Sequence, residues 1–105
     1  MARERLQIDI IECRNMLLST LQAVYPHSFS TQNLYHAMLG TFPDMSWPHL
    51  RVDLAYLVDK GYVVEDDPGF GKDRRTCDYE ERRWKLSGSG VEIAQRITED
   101  PALEL

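Results

Sequence analysis

Apolar residues recur at three- and four-residue intervals near the start of the chain, at Leu6, Ile10, Cys13, Leu17, Leu21 and Val24. That spacing turns one stripe of an α-helix toward a core and predicts a long first helix over Arg5 to Val24. Ile8, Ile11, Met16 and Leu18 widen the apolar coverage beyond one stripe, so this helix is expected to be covered on two sides. A shorter second helix is predicted from Thr31 to Leu39. Ser30 supplies its N-cap, Leu34, Ala37 and Met38 share a face, and Gly40 is the expected stop. Only Thr41 to Met45 separate it from a third helix, and so short a connection, with Pro43 and Asp44 in it, packs the two at a steep angle. In that third helix Ser46 is the N-cap, Trp47 and Pro48 take the first helical positions, and Leu50, Leu54, Leu57 and Val58 form the apolar stripe. Lys60 suits the negative end of the helix dipole, and Gly61 suits the left-handed conformation that ends a helix.

The period then changes. Tyr62-Val63-Val64 reads as a short strand, a long charged loop runs from Pro68 to Arg82, and Trp84-Lys85-Leu86 alternates as the returning strand. Ser87 caps a last helix from Gly88 or Ser89 to about Ile97, with Val91, Ala94 and Ile97 on its apolar face. The expected fold class is α+β: one domain over residues 1–97, followed by a frayed acidic tail over residues 98–105. A long helix, a helix pair, a hairpin and a last helix follow one another in the order of a winged helix-turn-helix.

Two blocks carry a resemblance. Leu50-Arg51-Val52-Asp53-Leu54-Ala55-Tyr56-Leu57-Val58-Asp59-Lys60-Gly61-Tyr62-Val63 resembles the recognition-helix-plus-strand signature of bacterial winged-helix regulators. Trp84-Lys85-Leu86-Ser87-Gly88-Ser89-Gly90-Val91-Glu92-Ile93-Ala94 is similar to their strand-into-last-helix signature. Over most of its length the chain also resembles the ArsR-like winged-helix family of Mu-like prophages, which begin Met-Ala-Arg-Glu. It departs from them in the long charged loop and in Trp47-Pro48. The resemblance implies a DNA-binding, transcription-regulating protein in which the third helix enters the major groove and the hairpin, or wing, meets the backbone.

Charge tells against the obvious partner and then softens. The net charge of −5 opposes the long-range attraction on which nucleic-acid affinity rests. Yet the segment from Lys72 to Lys85 holds six of the chain's 12 Lys and Arg against four of its 17 Asp and Glu, which makes a locally positive wing on an acidic body. Lys72, Arg74, Arg75, Arg82 and Arg83 are therefore candidate contacts to duplex DNA. A solvated hairpin of mixed charge is the plainer reading. On the third helix Trp47, His49, Arg51, Val52 and Ala55 lie off the core stripe, near the end that enters a major groove, and Arg51 suits guanine or phosphate. Its cations Arg51 and Lys60 are balanced by Asp53 and Asp59, so the helix reads as neutral. Trp47 also suits a hydrophobic staple against the second helix. Thr31, Gln32 and Asn33 open the second helix, where hydroxyl and amide donors beside backbone N–H groups suit a phosphate and equally suit ordinary capping.

Other classes have little support. At 105 residues, 43% hydrophobic and 28% charged, the chain fits one core, and no run nears the roughly 18 apolar residues of a membrane span. Asp9 and Glu12 break the apolar start, so no signal peptide is read, and Cys13 and Cys77 make no disulfide framework; a reducing cytoplasm is expected. His27, His36 and His49 are scattered, the Gly69-Phe70-Gly71-Lys72 stretch lacks phosphate-loop spacing, and Glu65-Asp66-Asp67 reads as a solvated strand end. No catalytic residue, metal or cofactor is expected. The surplus apolar residues of the terminal helices, Ile8, Ile11, Met16, Leu18, Val91, Ile93 and Ile97, predict a homodimer. The alternative to DNA binding is a winged helix used as a protein-protein interaction module, with Trp47 facing the partner.

Overall fold

Three serines fix where helices begin. Ser30 Oγ accepts the Asn33 N–H, Ser46 Oγ accepts the His49 N–H, and Ser87 Oγ accepts the Gly90 N–H, each meeting one of the donors a helix start leaves without a partner. The computed structural model describes residues 7–67 and 77–99. Within them lie α1 (Gln7–Val24), β1 (Phe29–Ser30), α2 (Thr31–Thr41), α3 (Trp47–Asp59), β2 (Val63–Asp66), a single 3-10 turn (Tyr79–Glu81), β3 (Arg83–Leu86) and α4 (Gly88–Glu99). Four helices thus pack with a three-stranded antiparallel sheet in the order β1-β3-β2, a mixed α+β architecture.

The apolar stripes meet in one core. Leu17, Leu18 and Leu21 of α1 bury with Leu34 and Met38 of α2, Leu50, Leu54 and Leu57 of α3, the cross-strand pair Val63 and Leu86, and Trp84, Ile93 and Ala94. α4 lies on α1 and covers its second apolar side. The expected dimer face is corrected accordingly: Leu18 and Ile93 are buried within the chain itself, and Met16 and Val91 pack against the same core. Ile11 is half-buried, and the side chains of Ile8 and Ile97 lie outside the described residues.

Two glycines set the junction between α3, the hairpin and α4. Gly61 has φ +79°, the left-handed turn expected after α3. At Gly90 a Cβ would stand 1.9 Å from the carbonyl oxygen of Tyr62, so only glycine lets the first turn of α4 lie against the chain entering β2. Ser87 reinforces this contact, with its N–H donating to Tyr62 O and its hydroxyl donating to Gly61 O.

Several boundaries differ from expectation. α2 continues through Gly40 to Thr41 and ends where the Phe42 N–H bonds to Met38 O, because one exposed helical glycine costs only about 1 kcal/mol. Val58 is exposed: it sits about 80° around the helix from Leu50, beyond the buried stripe. β1, two residues long, is too short to leave a pattern and is recruited by pairing Phe29 with Trp84 and Ser30 with Arg83. The second strand begins one residue later and runs two further than read from sequence, and α4 reaches Glu99, so the expected frayed tail begins inside a helix. Arg5, the expected start of the first helix, lies outside the described residues, as do residues 100–105.

Candidate nucleic-acid interface

The stripe that buries Leu50, Leu54 and Leu57 leaves Pro48, Arg51, Val52, Ala55 and Val58 exposed on the opposite side of α3. Asp53 falls three residues after Leu50 and four before Leu57, on the core side. It is fully buried, with its carboxylate 3.6 Å from Nε of Arg14 on α1, and the Arg14 guanidinium lies 3.5 Å from the centre of the Tyr56 ring. The even balance read from the sequence is therefore corrected: with Asp53 buried, Arg51, Asp59 and the capping Lys60 are the charges left exposed, and Asp59 lies one turn beyond Ala55 on the outer side of α3.

Arg51 is also held in place. Its guanidinium stands 4.3 Å from the centre of the Tyr79 ring, on the turn that leads into β3, and Tyr79 in turn tilts against Trp84 at 6.2 Å. Burial raises the Tyr79 pKa despite the opposing pull of Arg51 and Arg82, which keeps the ring a neutral phenol. A guanidinium resting on a ring by its face keeps its N–H donors in the plane, where they can meet a second partner.

Neighbouring candidates fall into different places. Trp47 stacks on Tyr35 of α2 at 4.2 Å and 19°, and the Tyr35 hydroxyl donates to Met45 O, so this pair fixes the angle between α2 and α3. His49 is half-buried behind it, with Nδ1 covered and lacking a hydrogen-bond partner. Thr31 is corrected outright as a phosphate contact. It is fully buried, its hydroxyl donates to Arg82 O and accepts from the Trp84 indole N–H, and its backbone N–H also bonds to Arg82 O, because β1 draws the start of α2 onto β3. Gln32 and Asn33 stay exposed on that first turn.

The described part of the hairpin holds its cations in internal contacts. Arg82 forms a two-pronged bond to Glu65, at 2.8 and 2.6 Å, which raises its pKa above the ordinary guanidinium value. Arg83 donates from Nε to Ser28 Oγ and from its terminal nitrogen to Ser28 O, and Lys85 Nζ is 3.6 Å from Asp66. The backbone N–H of Asp67 holds the Asp66 carboxyl below the usual carboxylate range, helped by the Ser28 hydroxyl and Lys85. Arg82 and Arg83 are thus corrected as free phosphate anchors, and Glu65 and Asp66 as merely solvated strand-end carboxylates. Lys72, Arg74 and Arg75 lie outside the described residues.

Arg14, Asp53 and Tyr79 were missed from the sequence. The signal for Asp53 was there, since an acid on the apolar stripe needs a buried cation, whereas Tyr79 sits in a loop with no period to read. Among the described residues no group of three or more His, Cys, Asp or Glu is placed to hold a metal, and no helix is long and apolar enough to cross a membrane. Compared with known proteins, the chain matches no family model, no curated protein and no solved structure.

Proposed function

We propose that the chain is a winged helix-turn-helix domain that binds duplex DNA, with α3 in the major groove and the β2–β3 hairpin as the wing, and that it regulates transcription. The order α1-β1-α2-α3-β2-β3-α4, with Trp47 of α3 stacked on Tyr35 of α2, supports the reading of the fold. The burial of Asp53 carries the reading of function. It takes one acid off the helix surface and leaves Arg51, steadied on Tyr79, as the charge a polyanion meets on the first turns of α3, with Asp59 exposed only at its end. Against a net charge of −5 the binding is expected to be weak and steeply salt-dependent. Fluorescence anisotropy with duplexes at several salt concentrations tests it. Duplex binding that weakens linearly in the logarithm of salt supports the proposal, and no binding at low salt rejects it.

A second reading, a protein-interaction module, is favoured by the exposure of Val52 at 56% and of Val58 and Val64 at 38% each. It takes over if no duplex is bound and a protein partner is captured whose binding Val52→Asp abolishes.

A further inference from the structure

We infer that α3 reads thymine methyl groups next to a guanine, with Val52 and Ala55 as the methyl-contacting residues and Arg51 as the guanine donor. The inference rests on the DNA-binding reading above. A helix that reads the major groove by hydrogen bonds alone needs several amide or guanidinium side chains, and the exposed face of α3 between Pro48 and Val58 offers one, Arg51. The other exposed positions are Pro48, Val52, Ala55 and Val58, which end in carbon.

The thymine C5-methyl is the one apolar group that the four bases present in the major groove. Val52 therefore has a single kind of base edge against which burial is favourable; amino and carbonyl edges would lose water to it without compensation. Arg51 matches the paired acceptors O6 and N7 of guanine. With the exposed Asp59 one turn beyond, Asp53 sharpens the choice by its absence from the part of this face that holds Arg51, Val52 and Ala55. A carboxylate there would accept from a cytosine amino group, and it is instead buried against Arg14.

The spacing sets the distance between the bases read. Arg51 and Ala55 are four residues apart, about 6 Å along the helix, and Val52 lies beside Arg51 on the same exposed side. Base pairs rise about 3.4 Å, so the thymines fall within one or two steps of the guanine.

The experiment starts from a duplex selected from a randomised pool with the intact chain. Each thymine is then replaced singly by deoxyuridine, which removes the methyl and nothing else, and affinity is read by anisotropy at fixed salt. A contacted methyl should be worth about a fourfold loss. Val52→Ala should bind the thymine and uracil forms alike at one position, and Arg51→Ala should keep the thymine-uracil difference while losing its preference for guanine. Val52 is exposed, and circular dichroism checks that the variant folds. Equal affinity for all uracil duplexes, or a Val52→Ala variant that keeps every difference, overturns the inference and leaves DNA binding standing. If the wild-type chain binds no duplex at low salt, the function reading fails and the thymine inference goes with it.

Discussion

Ahead of the exposed Asp59 that ends it, α3 hides its acid and shows its cation: Asp53 is fully buried against Arg14, and Arg51 is exposed over Tyr79. On the hairpin, cations and acids stand together at the surface, with Arg82 clasped by Glu65 and Lys85 3.6 Å from Asp66. The same residue types thus leave a cation exposed on the surface in one place and pair it with a neighbouring acid in the other, at the described base of the hairpin. What decides is where the partner comes from. The partner of Asp53 reaches in from a different helix behind the core, whereas the partners on the hairpin are cross-strand neighbours with nowhere else to go.

The two kinds of pair should differ most in stability. Asp53→Ala leaves Arg14 covered and uncompensated, and thermal melting should report a loss of about 3–5 kcal/mol. Replacing both partners, Arg14→Met with Asp53→Leu, should recover most of it, because it is the unpaired buried charge that is costly. Next comes the junction that sets α3 against the hairpin. Gly90→Ala drives a methyl into Tyr62 O and should cost about 1–3 kcal/mol or more by denaturant unfolding, while the exposed Gly40→Ala should be neutral or slightly stabilising.

Glu65→Ala breaks the half-exposed pair and should cost only about 1 kcal/mol or less. It should also release Arg82, so that binding to duplexes of any sequence tightens and the salt slope steepens by about 0.9. The smallest effect is that of Asp66. Its folded pKa is depressed, so its contribution is present above the ordinary carboxylate pKa and is lost as pH falls below about 4. Melting temperature followed from about pH 5 downward should drop slightly less steeply in Asp66→Asn than in the wild-type chain.

The helices were legible because each is punctuated as well as periodic: Ser30, Ser46, Ser87 and Gly61 do in the structure what their types announce. The face of α3 was half legible. Its exposed residues follow from the stripe, but its charge does not, since Asp53 counts toward neutrality until Arg14, thirty-nine residues earlier, is seen behind it. At the described base of the hairpin, Arg82 and Arg83 were misread for a related reason, while Lys72, Arg74 and Arg75 lie outside the described residues. Six cations in one segment look like an anchor when counted along the chain, and only the strand register brings Glu65 and Asp66 across to Arg82 and Lys85. Leu18 and Ile93 were misassigned to a dimer face because an apolar surplus on α1 reads the same whether a second chain covers it or the chain's own α4 does.

Whether α3, and not the described part of the hairpin, presents the working charge is decided most directly by comparing Arg51→Ala with Arg82→Ala in anisotropy titrations against one selected duplex across a range of salt. Arg51→Ala should lose about 1–3 kcal/mol on the selected site and flatten the preference at one base position, while Arg82→Ala should bind within about twofold of the wild-type chain. Arg82→Ala weakening every duplex while Arg51→Ala binds normally would contradict that placing of the charge.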